Sequence, residues 1–154
     1  MKSSPLADFI LASAVSVDLR GATKTAVLEE LVGLLAEAGV VADRAAALEA
    51  VLARERLGST GCGSGVAVPH ARLPGLDRPI VAVGLSRAGV DFGAVDGQPV
   101  RIFFLILGPQ GAPEAYLNIL SQIAKLLKED DFRASLLSAP DPAAAADILR
   151  SSAA

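Results

Sequence analysis

The chain has 154 residues, 52% hydrophobic and only 4% aromatic, which gives room for one domain with an aliphatic core. A net charge of −3, with no basic stripe and no interleaved aromatics, excludes a nucleic-acid-binding surface. The longest fully apolar run, residues 102–107, is far short of the roughly 20 residues a membrane span needs; Asp8 interrupts any early signal region, and the lone Cys62 rules out an internal disulfide, so the sequence points to a soluble cytoplasmic protein.

Residues 14–19 alternate apolar and polar side chains and predict a first strand, ended by Gly21. Thr23 caps a helix whose apolar face is Val27, Leu28, Leu31, Leu34, Leu35 and Ala38, with Gly39 as its stop. Asp43 opens a second helix that runs to about Arg56, with Ala47, Leu48, Val51 and Leu52 inward and Gly58 beyond its end. A glycine-rich loop follows, then a short strand over 66–68. Leu73-Pro74-Gly75-Leu76 is turn chemistry, and residues 80–85 read as a third strand. After the Asp96-Gly97 turn, residues 100–107 read as a strand buried on both faces. Pro113 starts a helix with Leu117, Leu120, Ile123, Ala124 and Leu127 on one stripe. Short helices near 131–138 and 142–150 close the chain, the second capped by Asp141-Pro142. The pattern predicts one α/β domain over residues 1–154, with its core over about 14–150. Phe9 and Leu11, ahead of that core, cover either it or a partner.

One run carries chemistry: Gly61-Cys62-Gly63-Ser64-Gly65-Val66-Ala67-Val68-Pro69-His70-Ala71-Arg72. His70 is the only histidine in the chain. Glycines allow backbone N–H groups to converge on an anion, and an imidazole can hold a phosphoryl group covalently. The combination suggests a phosphohistidine site. The structural alternative is a histidine satisfied by a backbone carbonyl.

Extended upstream to Arg54-Glu55-Arg56-Leu57-Gly58-Ser59-Thr60, this run resembles the enzyme IIA domain of the bacterial sugar phosphotransferase system, in its fructose/mannitol and nitrogen-regulatory branch. Gly89-Val90-Asp91-Phe92, Asp96-Gly97-Gln98-Pro99-Val100 and Leu105-Ile106-Leu107-Gly108-Pro109 are similar to the same family. The likeness covers about residues 14–149. It implies a three-layer sandwich with a mixed four- to five-stranded sheet between helices. It also implies that His70 takes a phosphoryl group from a phosphocarrier of the HPr type. Transport members of the family then pass the group to a IIB partner; in regulatory members the phosphorylation state controls other proteins.

The resemblance brings further site residues with it. Arg54 matches an arginine near the phosphoryl group, where a guanidinium forks onto phosphate oxygens; the alternative is a solvated helix-end cation. Arg56 and Arg72 are weaker candidates, as surface charges or partner contacts. Ser59 and Thr60 offer hydroxyls to the phosphoryl group or to the His70 ring, or are ordinary turn residues. Many members carry a second histidine early in the helix after Pro113, and Tyr116 stands there in this chain. A phenol donates a hydrogen bond but never becomes a cation near neutral pH. That departure implies phosphate uptake with impaired onward donation.

Asp91, Asp96 and Glu55 form no paired acid/base set: Asp96 reads as a turn residue and Glu55 as a helix-end charge. Cys62 reads as a small packing residue. No metal-ligand cluster appears, and a phosphohistidine donor requires neither metal nor nucleotide, so no cofactor is expected. The first functional reading is a phosphoryl relay serving sugar phosphotransfer or nitrogen and metabolic regulation, with a IIB domain or a regulatory target downstream. The lack of an attached IIB or IIC segment and the presence of Tyr116 favour regulation. The second reading is a non-catalytic interaction module on the same fold. A hydrolase built on Ser59 or Ser64 lacks the Gly-x-Ser-x-Gly pattern.

Overall fold

The computed structural model describes residues 5–111 and 113–153. Residues 1–4, the start of the segment read as free of a signal region, lie outside the described residues. A 3-10 turn at Leu6–Asp8 precedes β1 (Ile10–Ser16), α1 (Lys24–Glu37), α2 (Arg44–Arg56), β2 (Gly61–Gly63), β3 (Val66–Ala67), β4 (His70–Leu73), β5 (Ile80–Val90), β6 (Val100–Pro109), α3 (Pro113–Leu126), α4 (Asp130–Leu137) and α5 (Pro142–Ser152). The helix starts follow local capping. Thr23, Asp43 and Asp141 each accept the backbone N–H three residues on, at 3.2, 3.0 and 2.8 Å.

The strands form one mixed sheet in the order β1-β5-β6-β3-β2, with β4 also paired to β6. It has six strands rather than four or five. The excess comes from the glycine-rich run. Gly61–Gly63 pairs antiparallel with β3, and the strand expected over 66–68 is broken at Pro69, which has no N–H to give to a ladder. β3 and β4 then pair with successive stretches of the same edge of β6, Val66 with Ile102 and His70 with Ile106. His70 therefore opens β4 rather than closing β3.

β6 places the core on both sides of the sheet. Ile102, Phe104 and Ile106 pack on the face covered by α3, α4 and α5; Phe103, Leu105 and Leu107 pack on the face covered by α1 and α2. All six are at most 1% exposed. The two-residue period of a strand divides them, and each contributes on the order of 1.5–3 kcal/mol of burial. Gly84 in β5 lets α1 approach, since a Cβ there would meet Leu19 Cδ1 at 2.6 Å and Leu31 Cδ2 at 2.9 Å.

Two elements differ from the sequence pattern. β1 starts at Ile10, four residues before the predicted strand, and its parallel pairing with β5 shifts register between Ile10 and Val15. Phe9 joins the core on the α3 side, and Leu11 packs partly buried on the other. In α3 the face turned to the sheet is Tyr116, Ile119, Ile123 and Leu126, whereas Leu117 is 62% exposed. One residue of phase rotates a helix by about 100°. The predicted stripe is thereby turned, and its Leu120, Ala124 and Leu127 line a cavity beside His70.

Candidate functional site

His70 is set by backbone pairing on two sides. Ile106 donates its N–H to Pro69 O at 3.0 Å, and Val68 donates its N–H to Thr60 O at 3.1 Å. The Val68 carbonyl thus directed accepts from His70 Nδ1 at 2.7 Å. A carbonyl only accepts, so Nδ1 carries the ring proton and Nε2 keeps its lone pair. The backbone-carbonyl bond that defined the structural alternative is therefore present, and it leaves Nε2 of the neutral ring without a proton.

Partial burial is the main influence holding the His70 pKa below the ordinary imidazole value. The bond to Val68 acts upward, the nearby Arg54 charge downward and Glu55 upward. The net effect favours the neutral ring. The ring borders an open cavity of about 580 Å3.

Arg54, in the last turn of α2, lines this cavity. Its Nη1 donates to Gly58 O at 3.0 Å, which ties the guanidinium to the loop that follows. Ser59 and Thr60 line the cavity too, but their hydroxyl protons are engaged. Ser59 Oγ donates to Phe92 O at 2.7 Å and accepts the Gly61 N–H at 3.0 Å. Thr60 Oγ1 donates to Glu55 Oε2. Both residues hold the loop. A hydroxyl donor to a phosphoryl group would have to give up one of these bonds first.

Glu55 is not a solvated helix-end charge. It is 7% exposed, accepts from Thr60 N at 3.1 and 3.2 Å, and pairs with Lys24 Nζ at 3.0 Å. A carboxylate in the last turn of a helix opposes the helix dipole; the ammonium and the two Thr60 donors offset that cost. Lys24 lies 4.5 Å above the Phe92 ring, so the pair also joins α1 to the loop after β5.

The glycine-rich loop is shaped rather than open. Gly61 has no room for a Cβ, which would meet Ala94 at 2.9 Å. Ser64 takes the left-handed conformation at φ 58°, and its N–H donates to Asp96 Oδ2 at 3.1 Å. Asp96 is more than a turn residue, because its other oxygen accepts from Gln98 N at 3.0 Å and it thereby joins two loops. The N–H groups of Gly61 and Ser64 are thus committed within the protein. Cys62 is exposed on the cavity wall rather than packed. Partial burial of its thiol, with the Asp96 charge adding, raises its pKa, so it is not an activated nucleophile.

Tyr116 is 8% exposed and meets His70 edge to face. Its ring lies over Gly108 of β6, where a Cβ would collide with Cδ1. Burial pushes the phenol up to about 12 against the opposing charges of Arg72 and Arg54, so the hydroxyl remains protonated at neutral pH. Arg72 is itself exposed on β4. The sequence reading missed two further cations in the cavity lining, Lys128 and Arg133. Arg133 donates to Leu127 O and pairs with Asp130. In the sequence both look like ordinary surface charges, and only the packed chain brings them into one cavity lining with Arg54.

Residues 8–152 match the family model described as phosphoenolpyruvate-dependent sugar phosphotransferase system, EIIA 2. A nitrogen regulatory protein from Pseudomonas aeruginosa is 45% identical over 124 residues, 80% of each chain. A PTS system fructose-specific EIIABC component from Bacillus subtilis is 38% identical over 135 residues; that is 88% of this chain but only 21% of the relative's length. The crystal structure of nitrogen regulatory protein IIA-Ntr from Neisseria meningitidis superposes with a TM-score of 0.85 at 33% identity, covering 94% of this chain and 98% of that one. No described helix is long and apolar enough to cross a membrane. The chain belongs to the EIIA 2 family of the phosphoenolpyruvate-dependent sugar phosphotransferase system.

Proposed function

We propose that residues 1–154 act as one phosphoryl-relay unit in which His70 Nε2 is the acceptor. The donor is a phosphohistidine carrier of the HPr type. Nε2 attacks phosphorus in line, the donor's P–N bond breaks as the new one forms, and the donor imidazole leaves with the bonding pair. No proton has to leave His70, because Nε2 is already unprotonated and Nδ1–H stays on Val68 O. The reading rests on one observation above the others: the 2.7 Å bond from Nδ1 to Val68 O, which leaves Nε2 free at the cavity. Such transfer asks the protein for positioning and charge stabilisation. Arg54 supplies a cationic charge that is felt at the ring, and Tyr116 supplies a neutral phenol in contact with the ring.

A regulatory role is favoured over bulk sugar transfer. Tyr116 stands where the family resemblance implies a second histidine, and a phenol gives a departing phosphoryl group less help than an imidazolium. The downstream partner is then a regulatory target, with a IIB domain as a slow acceptor. The direct test is phosphorylation by phosphoenolpyruvate, enzyme I and an HPr-type carrier, with and without His70. Failure of the wild type to take up phosphate would favour a non-catalytic interaction module on this fold.

A further inference from the structure

Among the described residues, the buried Glu55 carboxyl at the end of α2 has partners that lead by hydrogen bonds to the His70 ring. Glu55 accepts both the backbone N–H and the hydroxyl of Thr60. It is charge-balanced by Lys24 from α1, whose ammonium lies 3.0 Å away. Thr60 O accepts the Val68 N–H at 3.1 Å, and Val68 O accepts the His70 Nδ1–H at 2.7 Å. Four links therefore run from an α1 ammonium to the imidazole. The other support of this segment is the bond from Ile106 N to Pro69 O. That bond fixes the height of the strand on β6 but does not by itself direct the Val68 carbonyl. The loop between α2 and β3 contains Gly58, Gly61, Gly63 and Gly65, and glycines leave a backbone many alternatives. A doubly accepting carboxylate selects one of them.

We propose that Glu55 is a positioning residue for phosphoryl uptake: with Lys24 it fixes Thr60, and through Thr60 and Val68 it holds His70 in the Nδ1–H tautomer with Nε2 aimed into the cavity. This extends the reading of His70 as phosphoryl acceptor and rests on it for its kinetic consequence. Glu55 makes no hydrogen bond to the ring; apart from its charge, which acts upward on the His70 pKa, it reaches the ring through its neighbours. Its removal should disturb the ring's orientation while leaving the carrier-docking surface in place.

The test uses the full chain and Glu55→Gln, which keeps the side-chain shape and loses the charge and one acceptor oxygen. Two readouts are taken on samples shown to be folded by circular dichroism. The first is the nitrogen-15 chemical shift pair of the His70 ring, which reports the tautomer without any phosphorylation. The second is the rate of phosphorylation by an HPr-type carrier at varied carrier concentration. The expected result is a several-fold rise in the Nε2–H tautomer together with a fall in kcat of about tenfold at unchanged KM for the carrier. Thr60→Val, which removes only the hydroxyl link, should move both readouts in the same direction by less, and it decides the matter if Glu55→Gln does not fold. A folded variant with wild-type tautomer, at any rate, would overturn the proposal. So would an altered tautomer with wild-type kcat. If wild type itself takes up no phosphate, the acceptor reading fails, and the tautomer readout still decides whether Glu55 positions the ring.

Discussion

His70 and Tyr116 meet edge to face, with ring centroids 5.8 Å apart and planes inclined at 62°. Their meeting depends on Gly108, whose missing side chain leaves the space into which the tyrosine ring lies. β4 carries the histidine, β6 carries the glycine beside it, and the start of α3 brings the tyrosine over both.

This contact predicts a separation between receiving and giving phosphate. Tyr116→His should leave uptake from the carrier within about threefold and raise onward transfer to a fructose-type IIB domain by roughly 5- to 15-fold. That is the scale expected when a charge-assisted hydrogen bond worth about 1.5–3 kcal/mol replaces a neutral one. Stopped-flow transfer assays on the two half-reactions measure both numbers. Rapid onward transfer by wild type, unaffected by Tyr116→Phe, would show that the tyrosine is no impediment.

Arg54 should matter for rate more than for fold. Its side chain is partly exposed and holds one backbone carbonyl, Gly58 O. Arg54→Gln should slow phosphoryl uptake by roughly 10- to 100-fold through lost stabilisation of the transferring group, with little change in thermal unfolding. Arg54→Lys should recover only part of the rate, since an ammonium keeps the charge but not the planar fork. The same Gln variant should also raise the His70 pKa, because the Arg54 charge lowers it.

The pH dependence follows from the same ring. Burial first, and Arg54 in addition, hold the folded pKa of His70 below its unfolded value near 6.5. Uptake should therefore stay flat as pH falls through 6.5 and decline only at more acidic values, where Nε2 becomes protonated. For stability the sign is the reverse of a salt-bridged histidine. Between the two pKa values the unfolded chain binds the extra proton, so this contribution is present above the unfolded pKa and is lost progressively as pH falls toward the folded one. An NMR titration of the His70 ring gives the folded value. A midpoint above 6.5 would contradict the account.

Much of this was legible in the sequence because it is local. β6 reads as doubly buried since six aliphatic and aromatic residues run without a break. The helix starts read true since Thr23, Asp43 and Asp141 cap through their own side chains. The glycine run and His70 locate the site by their spacing. What escaped depends on distant partners. Glu55 looks like a solvated end-of-helix charge until Lys24, thirty-one positions away, is brought against it. The start of β1 is hidden by a register shift against β5, which blurs the alternation over residues 10–16. The phase of α3 is set by the seat that Gly108 offers Tyr116, and no periodicity in the helix itself announces that. Lys128 and Arg133, more than seventy positions beyond Arg54, join its cavity lining only in the folded chain.

If His70 Nε2 is the phosphoryl acceptor, removing the imidazole removes the only attacking nitrogen the proposed transfer uses. Intact-mass measurement of wild type and His70→Ala, after incubation with phosphoenolpyruvate, enzyme I and an HPr-type carrier, tests it most directly. One acid-labile phosphoryl group is expected on the wild type and none on the folded variant. Phosphate on the variant, or none on folded wild type with any such carrier, would contradict the acceptor role of His70.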